Sequence, residues 1–209
     1  MKFSAIIFDM DGVLINSEPL WKSQDILHFS KMFPKYQDAS PEYQGKGHLG
    51  VYELLRERYQ LSMSFEEFRA FRIRYSLEEI FPKAPLMIGV REFLERISLK
   101  TPLAIGTSSV REAIDAVFLH HQIGHFFSAV VTADDVGHRG KPAPDIFLKA
   151  AEKLGIAPEE CLVLEDTKVG IVAAKNAKMT VYALSSEANR DQDLSRADAV
   201  FSDFSSLLF

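Results

Sequence analysis

Two acids one residue apart, Asp9 and Asp11, stand at the end of an apolar run, Ala5-Ile6-Ile7-Phe8, and Gly12 follows them. The run predicts a buried β-strand, and residues two apart on a strand leave it toward the same side. Gly12 lets the backbone turn sharply afterwards. Carboxylates this close repel unless a cation or a proton lies between them. The pair suits a hard metal ion together with a nucleophile and a proton donor.

Further polar sets follow other apolar runs. Thr107 and Ser108 come after Leu103-Ala104-Ile105, Lys141 lies in the loop beyond Ala129-Val130-Val131, and Glu165-Asp166 end Leu162-Val163-Leu164. Taken singly, each has an ordinary explanation. A threonine there is a turn or N-cap residue, a lone lysine is a surface charge, and an acid pair suits a helix start. Falling together, they would form a site.

Helical patterns separate these runs. Val90, Phe93, Leu94 and Ile97 make one helix face, and Val110, Ala113, Ile114, Val117 and Phe118 make another. A helix from Ile146 to Leu154 ends at Gly155, with Asp145 assigned as its cap. Another has Gly170 near its start. Val181-Tyr182-Ala183-Leu184 and Ala199-Val200-Phe201 add two strand candidates. Strands alternating with helices predict an α/β fold, a parallel sheet with helices on both faces. Ligands bind such sheets at the carboxyl ends of the strands, where all the polar sets fall.

Residues 17–82 break the alternation, since every pattern there is helical. Pro19 suits a first helical turn, residues 34–48 read as a loop, and Val51, Leu54, Leu55 and Tyr59 form a stripe. Ser64-Phe65-Glu66-Glu67 is a capping box opening a helix with Phe68, Phe71, Tyr75 and Ile80. Arg69, Arg72 and Arg74 on that helix are assigned to a solvated face. This block is expected to be an inserted subdomain.

A phosphomonoester at the sheet edge would use every polar set. Mg²⁺ could bridge Asp9, Asp166 and the phosphate, Thr107 offers a hydroxyl, and Lys141 a fixed positive charge. Ser109-Val110-Arg111-Glu112 reads as a capping box, so Ser108 and Ser109 begin a helix whose free N–H groups favour an anion. Asp9 could attack phosphorus, and Asp11 could protonate the leaving oxygen and later take a proton from water. His120, His121, His125 and His138 form no metal-ligand spacing, and His48 could touch a substrate.

The chain has 209 residues, 47% hydrophobic and 25% charged, with a formal charge of −5. That size allows one domain with an insertion, and the acidic balance argues against nucleic acid. Cys161 is the single cysteine, which excludes an internal disulfide, and lies in an apolar run. No apolar stretch approaches the length of a membrane span, and the N-terminus lacks signal-peptide character. A cytoplasmic location is expected.

The ordered motifs resemble those of the haloacid dehalogenase (HAD) superfamily of phosphatases, over nearly the whole chain. Phe8-Asp9-Met10-Asp11-Gly12-Val13-Leu14, continued by Ser17-Glu18-Pro19, is similar to the first family motif. Thr107 matches the second, Gly140-Lys141-Pro142-Ala143-Pro144-Asp145 the third, and Glu165-Asp166-Thr167-Lys168-Val169-Gly170 the fourth. The resemblance implies a Rossmann-like core, residues 1–16 and 83–209, with an inserted α-helical cap of the C1 type over 17–82. It implies Asp9 as nucleophile and Asp11 as acid/base, and Thr107 and Lys141 at the phosphate, where the helix start also places Ser108. Mg²⁺ would be held by Asp9, the main-chain oxygen of Asp11, and Asp166, with Glu165 an additional or outer ligand. The Lys141-Pro142 bond is often cis in such proteins.

Asp11 disfavours dehalogenase and phosphonoacetaldehyde hydrolase chemistry, which lack this second aspartate. The nearest branch looks like the β-phosphoglucomutase-like phosphatases and mutases. Trp21 stands near the mutase's histidine, Gly50 near its cap arginine, and Asn16 and Lys178 replace a frequent Asp and Gly. The expected function is a Mg²⁺-dependent phosphatase of a small phosphorylated metabolite, a monomer or weak dimer without nucleic-acid or membrane partners. A phosphosugar mutase and a catalytically silent binding or regulatory protein are the alternatives.

Overall fold

Alternation decides how the apolar N-terminal run is buried. In the computed structural model, which describes residues 3–37, 40–137 and 139–207, this run is β1 (Ala5–Phe8). Its register pairs Phe8 with Ile105 of β2 (Leu103–Gly106) on one side and with Leu164 of β4 (Cys161–Glu165) on the other. The sheet continues through β3 (Ala129–Val131), β5 (Thr180–Leu184) and β6 (Ala199–Phe201), in the order β3-β2-β1-β4-β5-β6, all parallel.

Period-2 alternation sends Ile6 and Phe8 to one face, with Leu103, Ile105, Leu162 and Leu164. There they pack on α5 (Val90–Ile97) and α6 (Arg111–His121). Ala5 and Ile7 go to the other face, with Ala104, Val131, Val163 and Val181, against α7 (Asp145–Leu154) and α8 (Lys168–Asn176). Cys161 is fully buried on that second face. The expected α/β sheet with helices on both faces is therefore observed, and no described helix is long and apolar enough to cross a membrane.

Residues 18–79 form α1 (Glu18–Met32), the single turn α2 (Ser40–Tyr43), α3 (Gly47–Tyr59) and α4 (Phe65–Glu79). They enclose their own apolar cluster, including Phe29, Val51, Leu55 and Phe68. Trp21, Ile80 and Phe81 join this unit to the core cluster on the α5–α6 face. Arg69 of α4 adds an ion pair, 2.7 Å to Asp134, in the 3₁₀ turn Ala133–Val136.

Ser64 caps α4 as expected, accepting from the Glu67 N–H while Glu67 Oε2 accepts from the Ser64 N–H at 2.8 Å. Four expectations are corrected. The stretch 34–48 is not all loop, since α2 lies within it and α3 begins at Gly47. Ser109 does not cap a helix: α6 starts at Arg111 after Val110, because the Ser109 hydroxyl is turned to Asp11 instead. Asp145 is the first residue of α7 and pairs with Arg139 at 2.7 Å rather than capping. Arg72 is buried, not solvated. The Lys141–Pro142 peptide is cis, as expected. Lys178 has φ 62, a left-handed conformation that explains why glycine suits that place.

Candidate active site

The carboxyl ends of β1, β2 and β4 converge on one edge, and the residues singled out in the sequence lie there. The Asp9 N–H donates to Leu164 O at 2.9 Å, which continues the β1–β4 pairing one residue past the strand and buries the Asp9 side chain. Gly12 then turns the chain with φ +75, and a Cβ there would lie 2.2 Å from Asp166 Oδ2. Only glycine permits both the turn and the approach of Asp166.

Among the described residues, Asp9, Glu165 and Asp166 form a trio whose ligand atoms lie within 4.8 Å of one another. Lys141 sits among them, with Nζ 2.8 Å from Asp9 Oδ1 and 2.5 Å from Glu165 Oε1. The contact with Asp9 is an ion pair whose angles do not make a hydrogen bond. Burial, followed by repulsion from Glu165, raises the Asp166 carboxyl well above the usual carboxylate range. Burial also pushes Asp9 up to about 7, against the pull of Lys141. Burial alone would lower Lys141, but Asp9 and Glu165 more than offset it and hold the ammonium charged.

This donor set fits a divalent cation. Both Asp166 carboxylate oxygens are buried without a hydrogen-bond partner, and hard oxygen ligands are what Mg²⁺ takes. Glu165 stands differently. Its Oε1 faces Lys141, while Oε2 accepts from the Asp166 N–H at 2.7 Å, the Thr167 N–H at 2.8 Å and Thr167 Oγ1 at 3.0 Å. Every oxygen of Glu165 is thus committed to protein donors.

The Asp11 side chain is directed away from the trio. Its Oδ1 accepts from Ser17 Oγ at 2.6 Å and Trp21 Nε1 at 2.9 Å, and its Oδ2 accepts from Ser109 Oγ at 2.7 Å. Ser17 and Trp21 border or belong to α1, so the helical unit reaches Asp11 directly. None of these three side chains was expected to bind Asp11, although the single Trp of the chain, one turn into the helix after the Asp9 motif, was a usable signal.

Asp9, Asp11, Thr107 and Ser108 line one partly open cavity between the sheet edge and the helical unit, with about 70 Å³ of interior space. Ser108 Oγ is buried there without a partner, and Thr107 Oγ1 accepts the Ser109 N–H at 3.1 Å. Trp21, His48 and Arg72 line it from the helical side. Glu18 does too, its carboxyl pushed up to about 8 by burial and then by the charges of Asp11 and Asp9. His48 therefore borders the cavity, as expected. His121 is bound elsewhere, with Nε2 2.9 Å from Ala84 O, and His138 lies outside the described residues.

A family model for the haloacid dehalogenase-like hydrolases matches residues 3–178. The chain is 30% identical over 195 residues to the fructose-1-phosphate phosphatase YqaB of Escherichia coli K12, covering 85% of this chain and 94% of that protein. It is 33% identical over 205 residues to a phosphorylated carbohydrates phosphatase of Thermotoga maritima, covering 94% and 92%. The crystal structure of β-phosphoglucomutase from Clostridium difficile superposes with a TM-score of 0.80 at 22% identity, over 99% of this chain and 94% of that one, a likeness of fold.

Proposed function

The chain belongs to the haloacid dehalogenase-like hydrolases and is a phosphatase, and from that premise we propose that it hydrolyses small sugar or polyol phosphates through an aspartyl-phosphate on Asp9. The observation that carries this is the division of the two aspartates. Asp9 lies in the acid trio beside Lys141, while Asp11 is held by three donors on the wall of the same cavity.

Asp9 Oδ attacks phosphorus as the ester P–O bond breaks. Asp11 delivers a proton to the departing alkoxide. Water then attacks the acyl phosphate, Asp11 takes its proton, and inorganic phosphate and the Asp9 carboxylate are regenerated. Lys141 carries three N–H donors. One is donated to Glu165 and the charge faces Asp9, which leaves donors for a phosphoryl oxygen. Thr107 and the unpartnered Ser108 hydroxyl supply further donors. Mg²⁺ would be held by Asp9, Asp166 and the Asp11 main-chain oxygen, and when bound it offsets phosphoryl and carboxylate charge. Glu165 serves this site by fixing Lys141 and the turn at Thr167.

Residues 17–82 act in this reading as a cap that excludes water and selects the leaving group. The test is phosphate release from a panel of phosphomonoesters with Mg²⁺ and with chelator. Release is expected to require the metal and to vanish in Asp9→Asn. Normal metal-dependent turnover by D9N would refute the assignment of the nucleophile.

A further inference from the structure

The roof of the cavity contains a charge pair that the chemistry above does not use. Arg72 of α4 and Asp25 of α1 are both buried and both line the cavity. Asp25 Oδ1 accepts from Arg72 Nη1 at 2.7 Å and from the Tyr75 hydroxyl at 2.6 Å, and Oδ2 accepts from the Tyr43 hydroxyl at 2.9 Å. The Arg72 guanidinium lies 4.6 Å over the Trp21 ring, and Trp21 is the residue whose indole N–H binds Asp11. Nη1 is the guanidinium nitrogen that has a hydrogen-bond partner in this arrangement. Arg72 Nε is buried and has no hydrogen-bond partner, a rare condition for a protein polar group.

We propose that Arg72, held by Asp25, is the specificity-determining residue for the leaving group, and that its Nε–H binds a hydroxyl oxygen of a neutral, polyol-type substrate. This rests on the phosphatase reading and adds what the enzyme accepts. Three observations separate a hydroxyl from a second anion. The Arg72 charge is already matched by Asp25, so the roof offers N–H donors and no uncompensated cation. The remaining cation on the cavity wall, Lys22, is exposed and shares the neighbouring surface groove with Glu18. The acids Asp9, Asp11 and Glu18 also line the cavity, so a distal carboxylate or phosphate would meet repulsion. A site built to hydrogen-bond a hydroxyl discriminates strongly against analogues lacking it.

The decisive variant is Arg72→Lys, which retains a cation for Asp25 but has no Nε–H. kcat/KM is measured for glycerol 3-phosphate and sorbitol 6-phosphate, for phosphoglycolate and a hexose bisphosphate, and for 4-nitrophenyl phosphate, which carries no hydroxyl. The wild type is expected to prefer the polyol phosphates over the substrates with a second anion by about tenfold or more. R72K is expected to lose about tenfold on the polyol phosphates, the worth of a hydrogen bond to a charged donor, and under about threefold on 4-nitrophenyl phosphate. Should R72K not fold, the double variant D25N/R72Q removes both charges together, and the same loss of preference is expected. An equal loss on all substrates, or a wild-type preference for a second anion, overturns the proposal. Absence of turnover of every substrate, 4-nitrophenyl phosphate included, overturns the phosphatase reading beneath it.

Discussion

Replacing Glu165 with Gln tests whether this residue is a clamp or a metal ligand. The substitution preserves shape but turns one oxygen into an NH₂. If that NH₂ faces the Asp166 and Thr167 donors, three hydrogen bonds are lost and donors meet donors. If it faces Lys141, the hydrogen bonds survive and the buried ion pair is lost. The second orientation is the less damaging. Removing one partner of a buried pair destabilises by about 3–5 kcal/mol. Relief of the repulsion that Glu165 exerts on Asp9 and Asp166 counts against that loss. It does not cancel it, because burial already pushes both carboxyls toward the neutral form when no cation is bound, while Lys141 stays charged. At roughly 2–4 °C per kcal/mol for a chain of this size, thermal unfolding of E165Q is expected roughly 6–20 °C below wild type. The assay is a pair of melts, one in Mg²⁺ and one in chelator. The clamp requires the deficit in both. A deficit confined to Mg²⁺, or a fall in chelator under about 3 °C, would refute the clamp and return Glu165 to the ligand set.

Gly12→Ala forces a Cβ to within 2.2 Å of Asp166 Oδ2 at φ +75. Half-saturation of activity by Mg²⁺ is expected to rise by about tenfold or more, and an unchanged titration would show that Asp166 does not hold the metal. Burial raises the Cys161 thiol to about 11, so far less thiolate exists at pH 8 than at an unfolded thiol with a pKa near 8.5. Iodoacetamide labelling at pH 8 is expected to be slower in the native protein by roughly two to three orders of magnitude than in denaturant, and comparable rates would contradict the burial.

The sheet, its two faces and the residues at its edge were legible because their signals are local. Alternation along Ala5-Ile6-Ile7-Phe8, a turn glycine and acids at strand ends can each be read within a few residues. What escaped depends on distant contacts. Ser109 reads as a cap within its own four-residue window, yet its hydroxyl is drawn to Asp11, 98 positions away. Arg72 and Asp25 are 47 positions apart. A signal for Arg72 did exist, since it lies four residues after Phe68 and three before Tyr75, on the buried stripe of α4. An arginine on an apolar stripe needs a buried acid, and Asp25 likewise sits one turn before Phe29 in α1. Charge identity suggested solvent for Arg72, but periodicity had already placed it inside.

The sheet edge and the roof of the cavity are electrostatically opposite. At the sheet edge, Asp9, Glu165 and Asp166 face one ammonium, and two Asp166 oxygens have no partner. In the proposed reading, a divalent cation and the phosphoryl group of a phosphomonoester would bind at that edge. In the roof, Asp25 is satisfied by three donors and the pair is neutral, so it gives no general attraction and responds to hydrogen-bond geometry. Trp21 connects the ends, binding Asp11 through its N–H and carrying Arg72 on its face. In the proposed reading, a substrate group that shifts Arg72 would act on Asp11 through one ring. Under that reading, selection in the roof and proton delivery by Asp11 would be coupled by packing, without any contact between Arg72 and the phosphate.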